Sequence, residues 1–394
     1  MTNRIRNGWL LVGLALLTGA CSSTAINTAP VKHCSNARLH VDAYFAGGNF
    51  YQCAFDAAGN IRMDIRPEDE RINPSPWYAF RLSRTEPGAV DITLDFADDR
   101  ARYWPKVSYD GHHWQALPES AVSIADDQHT MTLTVPADRP ITWIAAQELL
   151  TAEWYQQWFR ELGAHPGVEI KLLGSSALGR PLHLAITPQR PEFVVLLGRQ
   201  HPPEITGALA MRPFVQTLMA DTELANAFRD RFQLAIAPFM NPDGVTLGHW
   251  RHNINGVDLN RDWGTFTQPE TASFAAQLQQ LIAAGGQPAF MLDFHSTNRS
   301  LFYTQLAEDF PGQSDFATMW LDRSRARMPD YEFSHEARAR STQGNTKNWY
   351  FGTYGIPAIT YEVGDEVARD AIARSSVVFA EEFMRLMLES PTGY

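Results

Sequence analysis

The chain has 394 residues, 44% of them hydrophobic, which is enough for one large core or two moderate ones and excludes a disordered protein. Its formal net charge is −11, and no basic stripe interleaved with aromatics occurs along it, so nucleic acid is excluded as a partner. Acidic surface of this size serves solubility instead.

Residues 1–20 read as a targeting segment, with Arg4 and Arg6 in a positive first part, an apolar run from Trp9 to Leu17, and Gly19-Ala20 as a small-residue approach to Cys21. The segment is too short to cross a membrane as a helix. Leu17-Thr18-Gly19-Ala20-Cys21 resembles a bacterial lipoprotein signal, which implies that Cys21 is lipidated and becomes the new N-terminus. The protein would then sit on the periplasmic side of the cell envelope, held to the membrane by its lipid anchor only. Leucine stands one place earlier than that pattern prefers, so an ordinary secretory signal and a soluble secreted protein form the second reading. Residues 21–36 suit a flexible tether. The remaining cysteines, Cys34 and Cys53, are an even pair in an oxidising compartment, which predicts a disulfide worth on the order of 3 kcal/mol.

Residues 37–136 have an all-β texture. Asp91-Ile92-Thr93-Leu94-Asp95-Phe96 and Thr130-Met131-Thr132-Leu133-Thr134-Val135 alternate polar and apolar, and Gly47-Gly48-Asn49 and Asp110-Gly111 mark turns. A small antiparallel β-sandwich is expected there. Pro136-Ala137-Asp138-Arg139-Pro140 reads as a boundary, and residues 141–394 as a second, α/β domain. In it, Phe193–Leu197, Phe232–Ala237, Ala289–Phe294 and Ile356–Tyr361 are short apolar runs fit for buried strands. Helix-length amphipathic stretches fall at Thr206–Leu218, Thr271–Ala284, Phe316–Met328 and Val367–Leu388. The alternation predicts an α/β/α layer fold with a largely parallel or mixed sheet.

The first of these strands runs into Arg199-Gln200-His201-Pro202-Pro203-Glu204. A His and a Glu three positions apart at a strand-to-helix turn can converge on one metal ion, although the pattern also arises by chance and Pro203 suits any first helical turn. Weight comes from His295, just past a second buried strand, where open α/β sheets place their sites. Two imidazoles and one carboxylate leave a fourth position for water, the arrangement of a catalytic zinc. A further strand delivers Glu362 to the same edge, as a base for that water or else as a surface carboxylate near a helix start. Between the ligands lie Asn241-Pro242-Asp243-Gly244, Trp250-Arg251, and Asp258-Leu259-Asn260-Arg261-Asp262-Trp263. Arginine forks and an asparagine beside a metal suit a substrate that bears a carboxylate. His249 and His252 read as surface residues.

Taken in order, His201-Pro202-Pro203-Glu204, Asn241-Pro242-Asp243-Gly244, Asp258-Leu259-Asn260-Arg261 with Trp263, His295 and Glu362 resemble the zinc carboxypeptidase family. The sandwich, with Ala46-Gly47-Gly48-Asn49 and Pro76-Trp77-Tyr78-Ala79-Phe80-Arg81, is similar to the N-terminal domain of its cytosolic carboxypeptidase subfamily and bacterial relatives. The resemblance implies one zinc per chain on His201, Glu204 and His295, Asn260 and Arg261 on the free C-terminal carboxylate of a peptide or protein substrate, Arg251 on the scissile carbonyl, and Glu362 as general base and acid. It also places Lys347 in the pocket for the departing side chain, which favours acidic C-terminal residues. Many members carry a substrate-closing tyrosine 22 residues before the catalytic glutamate, where this chain has Arg340, so no tyrosine is given that role. Two other readings remain: a zinc deacylase of the same fold, resembling the desuccinylases, and a non-catalytic envelope lipoprotein.

Overall fold

The computed structural model describes residues 31–69, 72–136, 139–309, 315–339 and 341–389. The targeting segment and Cys21 lie outside the described residues, as does Arg340.

Alternation makes the N-terminal strands. Val90, Ile92 and Leu94 are buried along Val90–Asp95, and Met131, Leu133 and Val135 along Thr130–Val135, so each strand turns one face to the core. The two pair antiparallel at the centre of a five-stranded sheet, in the order Gln52–Phe55, Ile61–Asp64, Val90–Asp95, Thr130–Val135 and Val122–Ile124. A six-stranded sheet follows the order His33–Ser35, Leu39–Asp42, Ala79–Arg84, Ile141–Ala145, Lys106–Ser108 and Gln115–Ala116. Pairing is antiparallel throughout except that Ile61–Asp64 runs parallel to Val90–Asp95. Cys34 and Cys53 are joined in a disulfide, with Cα atoms 5.9 Å apart, and so tie the edge of one sheet to the edge of the other.

The domain boundary lies further along than the proline-rich stretch suggests. Ile141–Ala145 belongs to the sandwich, inserted between Ala79–Arg84 and Lys106–Ser108. Without it those two strands would present unpaired edges, and its own Thr142 and Ile144 are fully buried there. The change to α/β texture comes instead at the helix Ala152–Gly163.

The second sheet has eight strands, in the order Glu169–Ser175, Pro181–Ile186, Phe232–Ala237, Glu192–Gly198, Gln287–Thr297, Ala358–Gly364, Leu301–Thr304 and Ser334–Ala337. The central four are mutually parallel, and antiparallel strands on either side make the sheet mixed. Being buried on both faces explains why their sequences are continuous apolar runs. Along Glu192–Gly198, Val194 and Leu196 join a core with residues of the helices Ile205–Met219 and Arg369–Glu389. Phe193, Val195 and Leu197 join a second core with Phe274 and Leu278 of the helix Pro269–Ala283. This is the expected α/β/α arrangement. All four parallel strands end at one edge: there His295 and Glu362 stand near the ends of their own strands, and the segments leaving the other two carry His201 and Asn241.

Candidate active site

The chain leaves the strand Glu192–Gly198 through Arg199, which takes a left-handed φ of 56°. That conformation is costly for a residue with a side chain and persists only where its surroundings fix it. Here the buried guanidinium donates to the Pro202 carbonyl at 2.8 Å and to the Tyr155 hydroxyl at 3.0 Å. The reversal turns His201 inward, and Glu204 follows as the residue before the helix Ile205–Met219. That helix approaches the strand Gln287–Thr297 closely. A Cβ added to Gly207 would lie 2.6 Å from the carbonyl oxygen of His295.

The three predicted ligands meet. His201 Nδ1 lies 2.8 Å from Glu204 Oε1 and His295 Nδ1 lies 2.7 Å from Glu204 Oε2, all three residues being buried. Among the described residues they are the one group of three or more such side chains whose ligand atoms all lie within 4.8 Å of one another. The outward ring nitrogens are also held: His201 Nε2 lies 2.9 Å from Asp258 Oδ1, and His295 Nε2 lies 2.9 Å from Asp293 Oδ2. A carboxylate behind each imidazole fixes the ring and leaves its other nitrogen for a metal, so the donor set fits zinc. Burial pushes the Glu204 carboxyl up, but the two imidazoles outweigh it and hold the group well below the carboxylate range. For His295, burial acts downward and is overcome by Asp293 and Glu204, which raise it well above the usual imidazole value.

Gln200, fully buried, binds the neighbouring motifs together. Its amide donates to Asp293 Oδ2 at 2.6 Å and to Thr346 Oγ1 at 2.8 Å, while its carbonyl accepts from the Trp263 indole at 2.9 Å. Asn241 caps the helix Pro242–Leu247 and donates to the Gln200 backbone carbonyl at 3.1 Å. Asp243 serves structure: Arg180 and Ser176 of the preceding hairpin bind its buried carboxylate at 2.7 and 2.8 Å.

A cleft of about 620 Å³ opens over the ligand group, and Arg251, Asn260, Arg261, Lys347 and Glu362 all line it. Glu362 stands opposite His295 in the register of the two parallel strands. Burial pushes its carboxyl up to about 7, with His295 pulling down and Glu204 pushing up, and among the described residues no side chain hydrogen-bonds to it. Asn260 Oδ1 accepts from the backbone N–H and hydroxyl of Thr346 at 2.9 and 3.0 Å. Arg251 Nε donates to Asp258 Oδ2 at 2.8 Å. Lys347 is buried on a short helix, Thr346–Tyr354. Its ammonium donates to the Thr304 carbonyl at 3.2 Å, and burial lowers it to about 8, assisted by Arg338 and opposed by Asp309.

Several cleft residues were not legible beforehand. Asn73, Ser75 and Arg102 come from the sandwich, and Tyr303 and Arg338 from beyond His295. The Arg338 guanidinium lies 4.1 Å from the Tyr303 ring centre. Arg102 grips Asp365, three residues past Glu362, at 2.8 Å. His252 is buried and His249 half-buried, contrary to the expectation of surface positions, because a sandwich loop carrying Glu68 and Asp69 covers that stretch.

The family described as zinc carboxypeptidase matches residues 155–373, and the cytosolic carboxypeptidase N-terminal domain matches residues 41–146. An uncharacterised protein of Zymomonas mobilis is 26% identical over 264 residues, 65% of this chain and 67% of that one. Cytosolic carboxypeptidase 3 of Mus musculus is 24% identical over 59% of this chain, which spans only 26% of that protein's length. Among solved structures, a metallo-carboxypeptidase from Burkholderia cenocepacia superposes with a TM-score of 0.73 at 18% identity, covering 89% of this chain and 98% of the other. One from Pseudomonas aeruginosa, in complex with (2-guanidinoethylmercapto)succinic acid, gives 0.70 at 22% identity over 88% and 98%.

Proposed function

The chain belongs to the zinc carboxypeptidase family, and we propose that it removes residues one at a time from the C-terminus of peptides or proteins. The observation that carries this reading is the convergence of His201, Glu204 and His295 beneath a cleft lined by Arg251, Asn260, Arg261 and Glu362. His201, Glu204 and His295 would hold one zinc, which supplies Lewis-acid polarisation of the scissile carbonyl and of the attacking water. Glu362 takes the proton from that water and passes it to the departing amine. The Arg251 guanidinium, steadied through Nε by Asp258, donates to the carbonyl oxygen as negative charge develops on it. Asn260, its amide oriented by Thr346, and Arg261 bind the free carboxylate of the last residue.

Lys347 gives the proposed preference for acidic ends its physical basis. A buried ammonium whose recorded hydrogen bond is to one carbonyl gains most from a carboxylate on the substrate, whereas an apolar side chain leaves it poorly satisfied. Peptides ending in Glu, Lys, Leu and Phe, incubated with zinc-loaded protein and read by mass, test this. Loss of terminal Glu about thirtyfold faster than Leu, reduced in Lys347→Met, is expected. A preference for Phe or Lys ends, or no change on substitution, rejects it.

The proposed location is the cell envelope, with Cys21 as the lipid attachment site. The Cys34–Cys53 disulfide supports an oxidising compartment. Cell fractionation should find the protein with membranes and Cys21→Ala released from them; the same partition for both proteins contradicts the anchor.

A further inference from the structure

The segment that carries Arg251 is held from outside its own domain. Glu68, from the sandwich stretch that follows the strand Ile61–Asp64, points its carboxylate at three consecutive backbone N–H groups. Oε2 accepts from Trp250 N at 2.6 Å, and Oε1 accepts from Arg251 N at 2.9 Å and His252 N at 2.7 Å. Successive N–H groups that converge in this way form a concave anion site, and here the protein fills it with its own carboxylate. Neighbouring contacts lock the same segment. The buried Trp250 indole donates to the Trp77 carbonyl at 3.2 Å, and Asn49 donates to the Gly248 carbonyl at 2.7 Å. Gly248 takes a φ of 70°, and a Cβ there would lie 2.8 Å from the Gly47 carbonyl oxygen, so the two domains touch backbone to backbone. On its other side Arg251 reaches Asp258, whose second carboxylate oxygen holds His201 Nε2. Arg251 is thus fixed at its backbone by Glu68 and at its side chain by Asp258.

We propose that Glu68 is a positioning residue for the reaction, and that through it the N-terminal sandwich completes the active site by holding Arg251 over the cleft. The inference rests on the reading of Arg251 as the group that binds the developing oxyanion. Glu68 itself does not line the cleft, so its effect belongs to the transition state and not to substrate capture. A displacement of Arg251 by an ångström is enough to cost about a hundredfold in turnover. Nearby titratable groups do not replace the carboxylate: His252 Nδ1 and Asp69 stand 3.8 Å apart beside it, and Asp258 is engaged by His201 and Arg251.

The test uses the full chain, loaded with zinc, acting on a peptide with a free C-terminus. Glu68→Ala, Arg251→Ala and the double variant are compared by kcat, KM, zinc content and Tm. Expected are a fall in kcat of about a hundredfold for Glu68→Ala with KM changed less than about threefold, full zinc, and no further loss when Glu68→Ala is added to Arg251→Ala. Formate, which fits the emptied nest, should restore part of the turnover of Glu68→Ala and none in the double variant. If Glu68→Ala does not fold, Glu68→Gln, which keeps one acceptor oxygen, should give an intermediate loss with the same non-additivity. An unchanged kcat in Arg251→Ala would reject the role of Arg251 itself. A large loss in Arg251→Ala with wild-type kcat in the Glu68 variants, or losses that simply multiply in the double variant, would overturn the role of Glu68.

Discussion

A carboxyl group that must take a proton and later return it works best when its pKa lies near the working pH. Burial lifts Glu362 to about 7, and a cation held by the neighbouring triad would draw it back down toward the ionised form that accepts a proton. Glu362→Gln should therefore keep zinc and fold and lose about a hundredfold or more in turnover, measured as kcat on zinc-loaded protein. Wild-type turnover in that variant moves the base elsewhere. Lys347 carries the complementary pH dependence. Its ammonium, lowered to about 8, is charged below that pH and neutral above it. The advantage of Glu over Leu ends should be constant between about pH 6 and 7, where the substrate carboxylate is ionised and the ammonium charged, and shrink as pH rises through 8 in the wild type, but not in Lys347→Met. A ratio that stays flat across that range in the wild type contradicts a role for the charge. At this scale the sequence was readable where chemistry follows a strand end: His201, His295 and Glu362 each stand at or just past the end of an apolar run. Asn73, Ser75, Arg102, Tyr303 and Arg338 carry no such local mark, because they reach the cleft only through the packing of distant segments.

Elements differ in how much of their packing is written into local periodicity. The central strands and the helices Ile205–Met219, Pro269–Ala283, Phe316–Arg327 and Arg369–Glu389 stand close to their expected places, since a run buried on both faces or an amphipathic stretch of several turns is a strong signal. The hairpin Glu169–Ser175 and Pro181–Ile186 was not anticipated. Its first strand is only partly buried and its pairing shifts register between Leu172 and Gly174, which blurs the alternation. The helix Thr346–Tyr354 leaves no strong mark in the sequence because it is short, rich in aromatics and bracketed by Gly344 and Gly355. Gly207 shows what the element scale adds to the site. Replacing a helical glycine with alanine normally stabilises by about 1 kcal/mol, but here the new Cβ would stand 2.6 Å from backbone in the middle of the sheet. Overlap with backbone outweighs propensity, so Gly207→Ala should cost about 1–3 kcal/mol. It should also weaken zinc binding, because Glu204, three residues upstream, immediately precedes the displaced helix. Thermal unfolding and zinc titration measure both, and a variant with unchanged Tm and zinc affinity would show that the helix yields freely.

Over the whole molecule, the sandwich and the α/β layers share one hydrophobic core, and ion pairs seal the join near the catalytic edge. Arg102 binds Asp365, Lys106 binds Glu366 at 2.7 Å, and Glu148 binds Arg369 at 2.7 Å, all within a few residues of Glu362. Asp365 is raised to about 6 by burial despite Arg102, so the pairing is bought at a desolvation cost that only a close fit between the parts sustains. The order of motifs made the family resemblance readable in the sequence, but no pattern within the sandwich announced that it walls the cleft. On the proposed reading, the cleft requires a free terminal carboxylate of its substrate, with Asn260 and Arg261, which line it, as the binding groups. The direct measurement is cleavage of one peptide in two forms, free acid and C-terminal amide, by zinc-loaded protein, with products resolved by mass. Stepwise loss of single C-terminal residues from the acid, and none from the amide, is predicted; equal cleavage of both forms, or release of internal fragments or acyl groups, would contradict a carboxypeptidase.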